Sequence, residues 1–199
     1  MVKIKICGLK RLEDIEIVNK YNPDYIGFVF ADSKRKVSHE LASKLKKNLD
    51  SNIISVGVFV DSSQDEILSL FNDGTIEIAQ LHGSESEEFI SGLKDKTGGD
   101  LKIIKAIEMS NDINLEEYEK SEADFLLLDS GKGSGKTFDW RLIRKNLKKE
   151  FFLAGGLNSS NICEAIKEFN PYAVDLSSSL ETDGFKDENK IKEIMEVIN

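Results

Sequence analysis

The sequence predicts a single (β/α)8 barrel, a closed parallel sheet of the α/β class. Short runs rich in apolar residues alternate along the chain with stretches whose apolar residues recur at helical spacing. Most of these runs are nearly continuously apolar, as in parallel strands that are covered on both faces. The 199 residues suit a barrel at the small end of its size range. We therefore expect one domain over residues 1–199, with an open doubly wound sheet as the structural alternative.

The predicted strands end in a small or polar residue at which a loop begins. The runs are short and rich in residues that favour β-strands, and an amphipathic helical stretch follows each of them. Eight strands are predicted, over residues 4–7, 25–30, 54–60, 76–82, 101–107, 125–129, 151–156 and 172–178.

The segments between the strands predict amphipathic helices, since their apolar residues recur at roughly i, i+3, i+4 and i+7. One segment, residues 112–120, carries this pattern weakly and predicts a short helix at best. The clear helices are predicted over residues 13–21, 38–49, 64–73, 85–95, 159–169 and 188–198.

Charge and hydropathy exclude several classes of protein. The formal net charge of −9 argues against nucleic-acid binding, which needs a basic face. It also requires that an anionic substrate be held by locally positive groups. No apolar run approaches the roughly 20 residues of a membrane helix, and the first ten residues alternate like a strand instead of forming a signal peptide. We expect a cytoplasmic protein without membrane partners.

Cysteine and histidine are too sparse to indicate a disulfide or a metal site. The two cysteines, Cys7 and Cys163, lie far apart, and the two histidines, His39 and His82, have no metal-ligand spacing. Cys163 falls on a predicted amphipathic helix, where we expect a structural, packed side chain. No metal is predicted.

In a (β/α)8 barrel the active site lies at the C-terminal ends of the strands. This rule selects a short set of candidate residues from the chain: Cys7, Asp61, His82, Glu108, Asp129, Gly155, Gly156 and Ser177 to Ser179.

Cys7 and Asp129 are the candidates for acid–base chemistry. Cys7 ends the first strand and is either a small buried hydrophobe or a thiolate base. Asp129 follows four apolar residues and either caps the next turn or projects into the mouth, where partial desolvation would suit a proton donor. His82, after the fourth strand, is either a polar wall of the pocket or a partner for a neighbouring carbonyl.

Small residues after strands seven and eight indicate a phosphate site. Loops at these two positions commonly bind phosphate through backbone N–H groups, which here would come from Gly156, Ser178 and Ser179. Ordinary turn chemistry is the alternative. The glycine-rich run at 131–136 does not have P-loop spacing. Arg35, in the basic loop after strand two, is either solvated or a clamp for a carboxylate.

Together these residues resemble the phosphoribosylanthranilate isomerase family. The resemblance runs from end to end, through the motifs KICGL, FVFADSKRKVS, VGVFV, QLHG, LLLDS, GSGKTFDW, LAGGL, VDLSSSLE and GFKD. It implies a barrel that needs no metal or organic cofactor and performs an Amadori rearrangement of N-(5-phosphoribosyl)anthranilate, a step in tryptophan biosynthesis.

The resemblance also implies roles for individual residues. Cys7 would be the general base and Asp129 the general acid. Arg35 would hold the anthranilate carboxylate, and the backbone amides of the AGGL and SSS loops would hold the phosphate. From its position after the fourth strand, His82 is kept as a substrate-binding candidate. A homodimer is as compatible with the sequence as a monomer.

Three departures from the family pattern stand out. Ser33-Lys34-Arg35 replaces the usual Ser-Pro-Arg, and Lys132-Gly133-Ser134-Gly135 replaces Gly-Gly-Thr-Gly. Ser179 occupies the place of a glycine, where a backbone with positive φ would be strained and the phosphate turn reshaped.

Two other functions are compatible with the predicted fold. Another phosphate-binding barrel enzyme would need lysines and glutamates at several strand ends, or acidic residues with metal-binding histidines, and the predicted strand ends do not carry such a set. A non-catalytic barrel that binds a sugar phosphate would not need both Cys7 and Asp129.

Overall fold

The computed structural model describes residues 2–110, 112–129, 142–143 and 147–198. Eight parallel strands close into a barrel in chain order. Closure is made by β8 against β1, with Asp175 opposite Lys5 in the register. The predicted (β/α)8 barrel is confirmed, and the open sheet is wrong. The strands are β1 Lys3–Cys7, β2 Tyr25–Val29, β3 Ile54–Phe59, β4 Ile78–Leu81, β5 Lys102–Glu108, β6 Phe125–Asp129, β7 Phe151–Leu153 and β8 Ala173–Leu176.

The helices surround the barrel and begin at defined caps. The hydroxyls of Ser38, Ser63 and Ser86 each accept a hydrogen bond from a backbone N–H of the first turn that follows, which satisfies a donor that the helix itself leaves free. Residues 112–120, whose helical pattern is weak, form a single helical turn, as predicted. The helices of the described residues are α1 Leu12–Tyr21, α2 His39–Lys46, α3 Gln64–Asn72, α4 Glu87–Thr97, α5 Leu115–Tyr118, α6 Ile162–Phe169 and α7 Glu188–Ile198.

Side chains alternate between two apolar layers because successive strand residues point to opposite faces. Ile4 and Ile6 of β1 pack with the helices in the larger layer. The smaller layer fills the barrel interior and consists of Tyr25, Val56, Ile78, Ile104, Ala106, Leu127, Phe152, Ala154 and Ala173. Burial on both faces explains why the strands are almost continuously apolar.

Carboxylates just ahead of three even-numbered strands tie neighbouring strands together. Asp24 Oδ2 accepts from the Ile4 N–H at 2.8 Å. Glu77 accepts from the N–H of Ser55 at 3.0 Å, and Asp124 accepts from the N–H of Ile103 at 2.9 Å. Each carboxylate satisfies a backbone donor at the N-terminal end of the barrel, opposite the mouth.

Beyond β8 the chain forms a small substructure that the sequence pattern did not predict. Ser178–Leu180 is one turn of 3-10 helix, followed by the antiparallel strands β9 Glu181–Thr182 and β10 Phe185–Lys186. Asp183 and Gly184, with φ of 52° and 78°, connect the strands, and this Asp-Gly pair is typical of a tight hairpin turn. Two-residue strands are too short to carry a periodic signal.

Candidate active site

The mouth of the barrel collects side chains from the ends of separate strands. Cys7 ends β1 and Asp129 ends β6, while His82 follows β4 directly. Because all eight strands are parallel in one closed sheet, their C-terminal ends surround a single opening. The structure therefore brings Cys7, His82 and Asp129 to the same end of the molecule.

Cys7 is buried in a close-fitting environment. It packs against Val29 and Val58, and a Cβ built on Gly27 would lie 2.6 Å from its sulfur. Burial raises the pKa of the Cys7 thiol, and the charge of Asp175 acts in the same direction. The positive charges of Lys5 and Lys186 oppose both effects. Burial thus favours the protonated thiol in the resting protein, whereas the nearby cations favour the thiolate.

Lys5 forms a buried ion pair below the mouth. It shares the interior face of β1 with Cys7, and its ammonium donates to Asp175 Oδ2 across the β1–β8 seam at 2.9 Å. The Lys5 side chain is fully buried and that of Asp175 is 9% exposed. The second carboxylate oxygen, Asp175 Oδ1, is buried and has no hydrogen-bond partner among the described residues.

A second charge cluster near Cys7 consists of Arg35, Glu181 and Lys186. Arg35 donates from Nε and Nη2 to the two oxygens of Glu181, at 2.6 and 2.8 Å. Lys186, almost fully buried, also donates to Glu181 at 2.8 Å. Burial alone would raise the pKa of the Glu181 carboxyl, but these two cations hold it at about 2. The guanidinium that was predicted to bind a carboxylate therefore already holds one in this structure.

Asp129 has a histidine as its neighbour in the mouth. His82 Nε2 lies 3.5 Å from Asp129 Oδ2, and the amide nitrogen of Gln80 lies 3.4 Å from His82 Nδ1. Gln80 is buried below His82 on the same face of β4. Of the two interpretations of His82, the pocket wall matches this position, since its side chain faces another polar group of the mouth.

The loops after β7 and β8, where the sequence predicts a phosphate site, contain glycines with positive φ and a buried serine hydroxyl. Gly155 and Gly156 have φ of 83° and 70°, a conformation that favours glycine. The side chains of Asn158 and Asn161 both donate to the Gly156 carbonyl at 3.1 Å and fix that loop. Ser179 Oγ is buried without a hydrogen-bond partner in the described part of the chain.

The strain expected at Ser179 is absent. Ser179 lies inside the 3-10 turn and is not among the non-glycine residues with positive φ. Serine therefore fits this turn without the cost that a left-handed backbone would impose. The glycine-rich loop at 131–136 lies outside the described residues.

A sequence model of the N-(5'-phosphoribosyl)anthranilate (PRA) isomerase family matches residues 4–197 of the chain. The chain belongs to this isomerase family. A relative from Endomicrobium trichonymphae, N-(5'-phosphoribosyl)anthranilate isomerase, is 48% identical, with 100% of this chain and 98% of the relative covered. Similarity at this level extends over the whole barrel.

Solved structures of PRA isomerases share the fold. One, in complex with reduced 1-(o-carboxyphenylamino)-1-deoxyribulose 5-phosphate, is 34% identical with a TM-score of 0.86, and 98% of this chain and 97% of that chain are covered. Another, described as mutually generated monomers of the dimeric enzyme from Thermotoga maritima, is also 34% identical with a TM-score of 0.86, covering 99% and 98% of the two chains.

The charged residues around Cys7 were not selected from the sequence. Lys5, Asp175, Glu181 and Lys186 all reach the mouth or the layer below it. A signal did exist, because Lys5 places a charge on the buried face of β1 two residues before Cys7, as Asp175 does in β8. A charge at such a position needs a buried partner, and only the closed sheet identifies that partner.

The packed position predicted for Cys163 is wrong, because the residue is exposed; its sulfur lies 3.4 Å from the Val197 carbonyl of α7. Within the described ranges no three His, Cys, Asp or Glu side chains are grouped as a metal site would require, and no helix is long and apolar enough to cross a membrane.

Proposed function

We propose that this chain converts N-(5'-phosphoribosyl)anthranilate to 1-(2-carboxyphenylamino)-1-deoxyribulose 5-phosphate in tryptophan biosynthesis, with Cys7 as general base and Asp129 as general acid. Family membership supports the overall reaction. The observation that carries the two roles is the presence of a buried thiol and a carboxylate at the ends of β1 and β6 in one mouth.

The reaction begins with proton donation. Asp129, in its protonated form, gives a proton to the furanose ring oxygen as the C1–O bond breaks, and the anthranilate nitrogen stabilises the resulting iminium ion. The positive iminium acidifies the C2 proton, which the Cys7 thiolate removes to give an enolamine. Tautomerisation of the enolamine then produces the ketone. One proton leaves Asp129 and one reaches Cys7, so the enzyme neither gains nor loses a proton overall.

Binding is assigned to groups that stand apart from this pair. Arg35 would exchange part of its ion pair with Glu181 for the anthranilate carboxylate, since its guanidinium is already oriented for bidentate contact. The backbone N–H groups of Gly156, Ser178 and Ser179 would hold the phosphate. His82 would form a polar wall beside Asp129.

The remaining features of the proposal concern the whole chain. Residues 1–199 would act as one catalytic domain with a small-molecule substrate and with no metal or organic cofactor, nucleic acid or membrane. The enzyme would work in the cytoplasm as a monomer or a homodimer; a structural relative is described as dimeric. Light scattering of the purified chain would distinguish these two states.

Of the two alternatives, membership of an isomerase family disfavours another phosphate-binding barrel enzyme. A non-catalytic barrel would bind the substrate without converting it. Turnover decides this question, since the fluorescence of the anthranilate substrate falls as it is consumed.

The test compares three variants with the wild-type enzyme. Cys7→Ala and Asp129→Asn should each lower kcat by roughly 10²- to 10⁴-fold, the usual contribution of a general acid or base. Both variants should still bind a reduced product analogue. Arg35→Ala should instead raise KM and weaken analogue binding by on the order of 2 kcal/mol, because a charge-assisted bidentate contact is lost. Near wild-type turnover by Cys7→Ala would disprove the assignment of the base.

A further inference from the structure

Two polar side chains lie on the interior face of β1 at its C-terminal end. Lys5 and Cys7 are two residues apart on that strand, so their side chains project on the same side and are separated by about 6.6 Å along it. A lysine side chain spans such a distance. Lys5 is fully buried, and its charge acts directly on the Cys7 thiol.

Asp175 fixes the ammonium in place. It accepts one of the three ammonium protons at 2.9 Å, which leaves other protons of Lys5 available to a neighbouring acceptor. Holding two charges out of water is costly, and replacing a buried ion pair by apolar residues is often neutral or stabilising. The pair at the base of the mouth is thus poorly explained by stability alone, whereas a base that must ionise there needs a nearby cation.

We propose that Lys5 is a positioning residue for the reaction: its buried ammonium, held by Asp175, stabilises the Cys7 thiolate that proton abstraction requires. The inference rests on the proposed role of Cys7 as base. It assigns opposite effects to the two members of the ion pair, since the positive charge favours the thiolate and the negative charge opposes it.

Other charges also face Cys7 and have to be distinguished from Lys5. Arg35 and Lys186 approach from the loop after β2 and from β10, but both are bound to Glu181. Asp129 and His82 act on Asp175. Among the described residues, the charged groups that act on Cys7 are Lys5, Asp175, Arg35 and Lys186.

The experiment titrates the Cys7 thiol and needs no substrate. All variants carry Cys163→Ser, which removes the exposed second thiol and leaves Cys7 as the only cysteine. The rate of alkylation by iodoacetamide, measured against pH, gives the thiol pKa. Lys5→Met should raise it by about one unit, corresponding to roughly tenfold less thiolate below the midpoint. Asp175→Asn should lower it.

The double variant Lys5→Met/Asp175→Asn provides a test even if Lys5→Met, which leaves an unpaired buried carboxylate, fails to fold. It removes both charges together, and its thiol pKa should lie above that of Asp175→Asn alone. Equal values for these two variants would overturn the inference, as would shifts in the same direction for both single variants.

Turnover separates this inference from the proposed function. If Cys7 is the base, the acid limb of kcat/KM should move with the thiol pKa, to higher pH in Lys5→Met and to lower pH in Asp175→Asn. If Cys7→Ala retained activity, the proposed base would be wrong, while the thiol titration would still measure the coupling of Lys5 to Cys7.

Discussion

At the scale of single residues, the position of the Cys7 sulfur depends on a missing side chain. Gly27 lies opposite Cys7 in the β1–β2 register, and a Cβ there would come within 2.6 Å of Sγ. Real Cβ atoms do not approach another heavy atom this closely, so the sulfur would have to move. Gly27 thus leaves the space that the Cys7 sulfur occupies.

We predict that Gly27→Ala lowers kcat while the protein stays folded. A displacement of about 1 Å in a reacting group can cost up to roughly 10²-fold in rate. The measurement is kcat with the anthranilate substrate, alongside a thermal melt. Gly92→Ala is the matched control. Gly92 lies in α4, far from Cys7, and a Cβ there would meet the end of the Gln64 side chain. Equal activity of the two variants would contradict the prediction.

At the scale of elements, the β9–β10 hairpin connects the loop after β2 to the end of β8. Glu181 of β9 binds Arg35 from one side and Lys186 of β10 from the other. The Arg35 side chain in turn covers Gly8, where a Cβ would lie 2.4 Å from Arg35 Cδ. The Glu181 carboxylate therefore fixes the β9–β10 hairpin to the loop that follows β2.

The Glu181 carboxylate should make the free energy of unfolding depend on pH. Its folded pKa of about 2 is below the ordinary 4.5, so its contribution is fully present above about pH 4.5 and is lost as the pH falls through 2. Glu181→Gln should lower the free energy of unfolding at neutral pH by on the order of 2 kcal/mol. The difference from wild type should shrink below pH 4.5 in urea titrations.

Glu188→Gln provides the control for Glu181→Gln. Glu188 also forms an ion pair, with Lys20, but both side chains are largely exposed, and exposed pairs contribute little to stability. Glu188→Gln should therefore unfold like the wild type at every pH. If Glu181→Gln behaved in the same way, the hairpin carboxylate would not be a stabilising element.

At the scale of the whole molecule, an acidic protein gathers cations at one opening. The net charge is −9, yet Lys5, Arg35 and Lys186 all act on the Cys7 region. The overall field repels an anionic substrate, so the proposed binding would depend on local groups such as Arg35 and the backbone N–H groups of the loops after β7 and β8.

Ligand binding at this opening should stabilise the whole barrel. At a hundred times its Kd, reduced 1-(o-carboxyphenylamino)-1-deoxyribulose 5-phosphate should add about 2.7 kcal/mol, which raises Tm by roughly 5 to 10 °C for a chain of this size. Differential scanning fluorimetry would measure the shift. The same concentration should shift Arg35→Ala less, whereas inorganic phosphate should shift both proteins equally. An unchanged Tm with the analogue would argue against the anion site.

Local patterns were sufficient to predict much of this protein. Apolar runs and helical periodicity predicted all eight strands, and the strand-end rule selected Cys7, Asp129 and His82 for one mouth. These predictions depend on interactions between residues close in sequence and on a general property of parallel barrels. The ends of elements were less accurate: β4 was predicted over 76–82 and covers Ile78–Leu81, because loop residues can continue an apolar run.

Which charges meet depends on contacts between segments that are distant in the chain. Lys5 and Asp175 are 170 residues apart, and Arg35 and Glu181 are 146 apart; closure of the sheet brings the first pair together, and the hairpin beyond β8 brings the second. Ser179 is a similar case, since its backbone conformation depends on the turn into which it is built. The sequence favoured the barrel and selected Cys7 and Asp129 as the proposed acid–base pair. The electrostatic environment of that pair depends on contacts between distant segments, which no local pattern encodes.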